Sequence, residues 1–382
     1  MGVDAVQPDG NGGVVGFEVV PYALPFREPY ATARGTLKRR EMVLLRVHTS
    51  GGIIGLGEAV PLSLRGGRSL DYIVNELRQL SRDFVDAAET ERTEILSRAV
   101  FELSAPTRCA LFTAWYDMAG KAQDRPAWTL LGAEENVHED IPVPCNASLT
   151  AGDPADVERQ ALEWAEQGFE TFKLKLGLAN DVDQVAAVRR AIGTDAKLRI
   201  DVNGVWGPAE AISKLDQMAA EDIELVEQPC GTLEELAQVH RQVDVPVVGD
   251  ESIATKEEAD RAVEIDACDF ATLKLSKVGG PGWAMSIAST ISSYLSSALD
   301  GPVGIAAAAH TAQALYPRDD SYDEHYLGGR DPGVAHGLAT QRLFSETIAS
   351  RQCELRDGYL HLPDGPGLGV EIDDSALEHH RL

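Results

Sequence analysis

Apolar and polar positions change period partway along the chain, and the change divides it. Alternating runs over Gly16–Val20 and Met42–Val47 predict strands. Leu70 to Leu103 and Cys109 to Gln123 carry helical spacing instead. Residues 14–132 therefore read as an α+β unit. The turn-rich stretches Pro25 to Lys38 and Gly57 to Arg68 within it are expected to be mobile loops. From 141 to 315 short apolar runs alternate with helical segments. Strands are expected near Phe172–Leu176, Leu198–Val202, Leu225–Gln228, Val247–Gly249, Phe270–Lys274 and Tyr294–Ala298, with helices including Asp181–Ile192 and Pro208–Ala220. The Gly- and Asp-rich residues up to about 13 read as a frayed end. The polar insertion Pro317–Glu324 has no assignable element.

Each expected strand in the second half ends in a charged or amide-bearing cluster: Lys173-Leu174-Lys175, Asp201-Val202-Asn203, Glu227-Gln228-Pro229, Asp250-Glu251, then Lys274. Successive clusters lie 26, 26, 23 and 24 residues apart. A strand of about five or six residues, a helix of about 11 and two short loops fill that interval. The clusters thus end successive parallel strands and share one face of a barrel, the face on which such barrels do their chemistry. Side chains alternate along a strand, so Lys173 and Lys175 point inward together, as do Asp201 and Asn203, while Leu174 and Val202 face the helices. Three carboxylates between flanking lysines converge there, and hard carboxylate oxygens suit Mg²⁺, with Mn²⁺ as the alternative ion.

Taken in order, Lys173-x-Lys175, Asp201-x-Asn203, Glu227-Gln228-Pro229, Asp250-Glu251-Ser252 and Lys274-x-x-Lys277-Val278-Gly279-Gly280 resemble the enolase superfamily, muconate lactonizing enzyme subgroup. The segment Ala110–Lys121, leading to Leu130-Leu131-Gly132, is similar to the helix joining that family's capping domain to its barrel. Gly365–Val370 is similar to its tail. The resemblance implies an α/β fold: a modified (β/α)7β TIM-type barrel (141–315), an N-terminal α+β capping domain (14–132) whose loops close over the barrel mouth, and a C-terminal segment (333–382) returning to the cap. It implies Asp201, Glu227 and Asp250 as metal ligands, Lys175 as base, Lys274 as the opposing cation and Lys173 as a neighbour lowering the pKa of Lys175. Asn203 and Glu251 read as supports of the ligands. Lys277 reads as a loop residue, His310 as a satisfied core residue, and His379-His380 as a frayed end.

The seventh strand end, Ser296–Ile305, contains no His, which disfavours a His-Asp base and leaves a two-lysine site. This stretch, Glu227–Cys230 and His336–Phe344 are similar to the o-succinylbenzoate synthases of the subgroup. The implied reaction is a syn dehydration of 2-succinyl-6-hydroxy-2,4-cyclohexadiene-1-carboxylate to 2-succinylbenzoate in menaquinone biosynthesis. Ser297 and Asp300 would neighbour the succinyl arm. N-succinylamino acid racemase, dipeptide epimerase and muconate cycloisomerase are the alternatives, and a non-catalytic barrel binding an anion or metal is the remote one.

Composition narrows the partners. The 382 residues carry 61 Asp and Glu against 34 Lys and Arg, a net charge of −27. Nucleic acid needs a basic patch, so it is not an expected partner; a small carboxylate is, and a homo-oligomer is allowed. The acidic residues are dispersed, which fits the solvated surface of a protein from concentrated salt. Five scattered cysteines without a Cys-x-x-Cys pair read as reduced and buried. Without a signal sequence, myristoylation pattern or spanning apolar stretch, a soluble cytoplasmic enzyme is expected.

Overall fold

The computed structural model describes residues 13–32, 35–62, 67–132, 142–315 and 334–382. The expected frayed end and the insertion Pro317–Glu324 lie outside them, apart from Gly13. Three antiparallel strands, β1 (Val14–Thr32), β2 (Gly35–Thr49) and β3 (Ile54–Ala59), form the N-terminal sheet in the order β1-β2-β3. Helices α1 (Leu70–Asp86), α2 (Glu89–Glu102) and α3 (Ala105–Gln123) follow.

Met42–Leu45 are wholly buried because this sheet is covered on both faces. Val43, Leu45 and Val47 pack against Ile73, Leu77 and Phe84 of α1 and Ala110, Ala114 and Met118 of α3. Met42 and Leu44 join Tyr22 and Leu24 in the core shared with the barrel. Helix α3 lies so close to β3 that a Cβ at Gly55 or Gly57 would sit 2.3 or 1.9 Å from the Ala114 or Ala110 carbonyl oxygen. Buried Asp117 at the centre of α3 accepts from Leu56 N (2.7 Å), Leu368 N (2.8 Å) and Lys121 Nζ (2.6 Å). One carboxylate thereby joins the sheet, the connecting helix and the Gly365–Val370 tail.

After β4 (Val143–Pro144), seven parallel strands alternate with helices: β5 (Ala147–Leu149), α4 (Pro154–Ala165), β6 (Thr171–Lys175), α5 (Asp181–Ile192), β7 (Lys197–Asp201), α6 (Pro208–Gln217), β8 (Ile223–Glu227), α7 (Leu233–His240), β9 (Val247–Gly249), α8 (Lys256–Glu264), β10 (Phe270–Leu273), α9 (Leu275–Val278), α10 (Pro281–Ala288), β11 (Ser293–Leu295) and α11 (Pro302–Leu315). The strands pair in sequence order. His336-Gly337 closes the ring, with Asn146 N donating to His336 O (2.9 Å) on one side and Ser297 N to Gly337 O (2.9 Å) on the other. The eighth strand of the barrel thus comes from the start of the C-terminal segment. Alternation along the strands sorts the core: Phe172, Leu174, Leu198, Ile200, Val226, Ala271 and Leu273 face the helices. Leu225, Val248, Phe270 and Tyr294 cluster separately.

Strands β12 (Ala349–Arg351), β13 (Glu354–Arg356), β14 (Tyr359–His361) and β15 (Glu371–Ile372) and helix α12 (Asp374–His380) carry the chain back to the N-terminal sheet, where Leu382 N donates to Pro21 O (3.0 Å).

Several sequence expectations are corrected. Pro25 to Lys38 is largely strand: β1 and β2 pair out to Thr32 and Gly35, with a register shift between Pro25 and Tyr30. Pro21, Pro25 and Pro29 are tolerated because β1 is an edge strand. Gly57–Ala59 belong to β3. The seventh barrel strand stops at Leu295 rather than Ala298. His379-His380 is not frayed; it forms the last turn of α12, whose N-cap Asp373 accepts from Ser375 N and Ala376 N.

Candidate active site

Strand ends place the predicted groups on one rim. Lys173 and Lys175 lie on β6, Asp201 on β7, Glu227 on β8, Asp250 just past β9 and Lys274 just past β10. The lysines therefore approach from two sides of a row of three carboxylates, in the strand order β6 to β10. Asp201, Glu227 and Asp250 are almost wholly buried. Buried carboxylates are costly unless paired, and here each is. Lys173 Nζ lies 2.6 Å from Glu227 Oε2 and 3.1 Å from Asp201 Oδ2. Lys274 Nζ donates to Asp250 Oδ2. Burial opposes the charge on Lys173, but the Asp201 and Glu227 carboxylates outweigh it and hold its pKa well above that of an ordinary lysine. Asp201 is likewise opposed by burial, yet Lys173, Lys175 and Lys274 hold it below the usual carboxylate range.

Supporting groups fix these side chains. Asp201 Oδ1 accepts from Asn203 N (3.1 Å), and Asn203 Nδ2 donates to Glu251 Oε1 (3.1 Å). Asn203 reaches this place through a left-handed turn (φ 51°) rather than by strand alternation, because β7 has already ended at Asp201.

Three contributors escaped the sequence reading. Lys277, expected to be a loop residue, lies in α9 and donates to Asp250 Oδ1 (2.9 Å), Thr272 O (2.9 Å) and the Asp250 carbonyl. Asp250 thus has a second lysine as partner. Tyr294 donates its hydroxyl to Glu227 Oε2 at 2.6 Å. Gln228 Oε1 accepts from Asp250 N (2.6 Å) and Ser252 Oγ (3.0 Å). The signals available were the spacing of Lys274-x-x-Lys277 and the inward position of Tyr294.

The donor set fits a divalent ion. Glu227 Oε2 carries both Lys173 and Tyr294, whereas Glu227 Oε1 is buried with no hydrogen-bond partner among the described residues. A carboxylate oxygen kept out of water and given no donor suits a cation, and three hard carboxylates match Mg²⁺.

Ser297 and Asp300 lie beyond β11 and hold each other. Ser297 Oγ donates to Asp300 Oδ2 (2.7 Å), and Asp300 N donates back to Ser297 Oγ (2.9 Å). Asp300 lines a cavity of about 150 Å³ together with Leu24, Arg27, Phe344 and Glu346. A larger hollow of about 310 Å³, among Pro142, Arg351 and His361, contains none of the site residues. Around Asp300 the N-terminal sheet meets the barrel. Glu58 accepts from Tyr22 Oη (2.8 Å) and Gly301 N (2.6 Å), while Arg40 Nη2 donates to Pro61 O (2.7 Å) and Ala298 O (2.9 Å). Burial, aided by Asp300, pushes the Glu58 carboxyl up to about 7. His310 is buried in the core as expected but is only half satisfied: Nδ1 accepts from Trp128 N at 3.3 Å, whereas Nε2 has no hydrogen-bond partner among the described residues, and burial lowers its pKa to about 4. All five cysteines are free and buried.

Residues 14–132 match the family described as mandelate racemase / muconate lactonizing enzyme, N-terminal domain, and residues 156–376 match enolase C-terminal domain-like. With this fold and rim of lysines and carboxylates, the chain belongs to the enolase superfamily, in its muconate lactonizing enzyme group. It is 31% identical over 365 residues to an L-Ala-D/L-Glu epimerase of Clostridium acetobutylicum, covering 91% of this chain and 96% of that one. It is 30% identical over 388 residues to muconate cycloisomerase 1 of Rhodococcus opacus, covering 96% and 97%. Among solved structures it superposes with TM-score 0.81 on the dipeptide epimerase of Enterococcus faecalis complexed with Mg and the dipeptide L-Leu-L-Tyr, at 25% identity over 94% of this chain and 99% of that one. These relatives support the epimerase, racemase and cycloisomerase alternatives better than the dehydration. No helix among the described residues is long and apolar enough to cross a membrane.

Proposed function

We propose that the chain is a metal-dependent isomerase that moves a proton at the carbon beside a carboxylate, as an epimerase, racemase or cycloisomerase of a small-molecule acid. The observation that carries this reading is the pair of lysine groups, Lys175 from β6 and Lys274 from β10, on opposite sides of Asp201, Glu227 and Asp250. A proton beside a carboxylate is poorly acidic because its loss builds a second negative charge. Mg²⁺ held by Asp201, Glu227 and Asp250 would supply Lewis-acid stabilisation of that charge.

The chain's own groups do the rest. Lys175 takes the proton only as a neutral amine, so its pKa must fall from about 10.4 towards 7–8, about 4 kcal/mol against the ammonium form. Lys173, locked as an ammonium between Asp201 and Glu227, supplies part of that by like-charge repulsion. Lys274, on the other face, returns a proton with inversion in a racemase or stabilises the developing charge as a cation in a cycloisomerase. Asn203, Glu251, Gln228, Tyr294 and Lys277 hold the carboxylates in place.

A second reading keeps the dehydratase. It is favoured by the likeness of Ser296–Ile305 to o-succinylbenzoate synthases, with Ser297 and Asp300 forming the wall beside the succinyl arm. One panel decides between them: Mg²⁺-loaded protein is offered L-Ala-L-Glu, N-succinyl amino acids, muconate and the cyclohexadiene acid in deuterated water, and products are followed by NMR. Epimerisation or cycloisomerisation with little dehydration supports the main reading. Preferential formation of 2-succinylbenzoate replaces it with the second. No α-proton exchange on any member of the panel refutes both.

A further inference from the structure

The C-terminal turn contributes a second cluster of metal-ligating groups, remote in sequence from the barrel carboxylates. Nitrogen atoms of His379 and His380 and a carboxylate oxygen of Glu346 all lie within 4.8 Å of one another. His380 Nε2 is 3.0 Å from Glu346 Oε2, and the two imidazole rings meet edge to face at 5.0 Å. Adjacent helical residues ordinarily point about 100° apart. Here both rings nevertheless approach one carboxylate, from the last turn of α12 before Arg381 turns to extended backbone.

We propose that Glu346, His379 and His380 form a site for a borderline divalent transition ion of the Zn²⁺ class. Two imidazoles and one carboxylate are a three-ligand zinc set that leaves the fourth position to water. At metal–ligand distances of about 2.1 Å, ligand atoms in a tetrahedral site are about 3.4 Å apart. The widest separation therefore has to close by up to about 1.4 Å while the His380–Glu346 pair, at 3.0 Å, is already close enough, a change within reach of side chains that are exposed or half-buried. The carbonyl end of α12 adds partial negative charge that favours a cation. Softer nitrogen donors separate this site from the all-carboxylate barrel site.

Its position suggests what the ion would do. Glu346 lines the cavity that Asp300 also lines. Its neighbour Ser345 donates its N–H to Pro25 O at 3.0 Å, and Arg381, next to His380, bridges to Tyr22. An ion held by Glu346 and α12 would pin the C-terminal tail and the 344–347 segment together against β1, at the seam between sheet and barrel. The site acts as a clamp on that seam.

Equilibrium dialysis of the full chain against Zn²⁺ tests this, with metal counted per chain and thermal midpoints recorded with and without the ion. His379→Ala and His380→Ala should each remove one Zn²⁺ per chain and abolish the zinc-induced rise in midpoint. Glu346→Gln should weaken that binding about ten-fold or more. Asp201→Asn should leave it in place, which separates it from the barrel site. If the histidine variants lose their fold in chelator, Glu346→Gln alone decides. The same zinc count and affinity in these variants as in the parent, or loss of all zinc in Asp201→Asn, overturns the proposal.

Discussion

Replacing Tyr294 by Phe removes one hydroxyl and leaves the ring among Leu225, Val248 and Phe270. That hydroxyl donates to Glu227 Oε2 at 2.6 Å, in a position 1% exposed. A hydrogen bond to a charged group contributes about 1.5–3 kcal/mol. Lys173 stays on the same oxygen, so Glu227 is not left unpaired and the low end, about 1.5 kcal/mol, applies to folding. The larger effect should fall on the free oxygen. Glu227 Oε1 has no other donor to orient it, and loss of a group that positions a ligand typically lowers metal affinity about 10–100-fold. Calorimetric titration of metal-stripped protein with Mg²⁺ measures this directly, and urea unfolding in chelator measures the stability term. Unchanged Mg²⁺ affinity in a folded Tyr294→Phe protein would refute the claim that this hydroxyl aims Glu227 at a cation.

Other perturbations probe different parts of the argument. Lys175→Ala should abolish exchange of the α-proton with deuterated solvent, and Lys274→Ala should cut turnover severely while leaving the base in place. Ordinary turnover in Lys175→Ala would put the base on the wrong side. Glu58, raised to about 7, favours folding while protonated, a contribution complete below its unfolded pKa of about 4.3 and lost as pH rises through 7. Glu58→Gln should therefore gain stability relative to the parent by up to about 3 kcal/mol between pH 4 and pH 7.5, and parallel stability curves for the two proteins would count against the assignment. Raising KCl from dilute buffer to about 1 M should increase both activity and thermal midpoint, with KM for the acid falling; a monotonic loss of both would remove the halophilic reading.

What could be read from the sequence was whatever one strand end fixes by itself. Lys173, Lys175, Asp201, Glu227, Asp250 and Lys274 recur at barrel spacing, and the repeat alone brings them to one rim. The helix Asp181–Ile192 was legible to the residue because its apolar positions and the following Gly193 agree. Among residues that act through another side chain, Asn203 and Glu251 were legible because each sits within two residues of a predicted ligand, and three others were not. Lys277, Tyr294 and Gln228 matter only for where Asp250 and Glu227 lie, and nothing local to them declares a partner 22 to 67 residues away. The 25–38 hairpin was hidden by its prolines and polar residues, which signal turns unless an edge position absorbs them. The closing strand at His336-Gly337 is too short to show a period.

Charge has two scales in this molecule, and they oppose each other. The whole chain carries −27, so an anionic substrate is repelled from a distance. At the rim the acidic excess disappears: Lys173, Lys274 and Lys277 meet Asp201, Glu227 and Asp250, and Lys175 offsets Glu251 as long as it is protonated. A divalent ion would make the rim net positive. Surface repulsion acts through water and is screened within about 3 Å at 1 M salt, whereas contacts inside a mouth of almost wholly buried carboxylates are screened far less. Salt therefore removes the long-range penalty and leaves the short-range attraction. A negatively charged surface is in this way compatible with the carboxylate substrate proposed for the site.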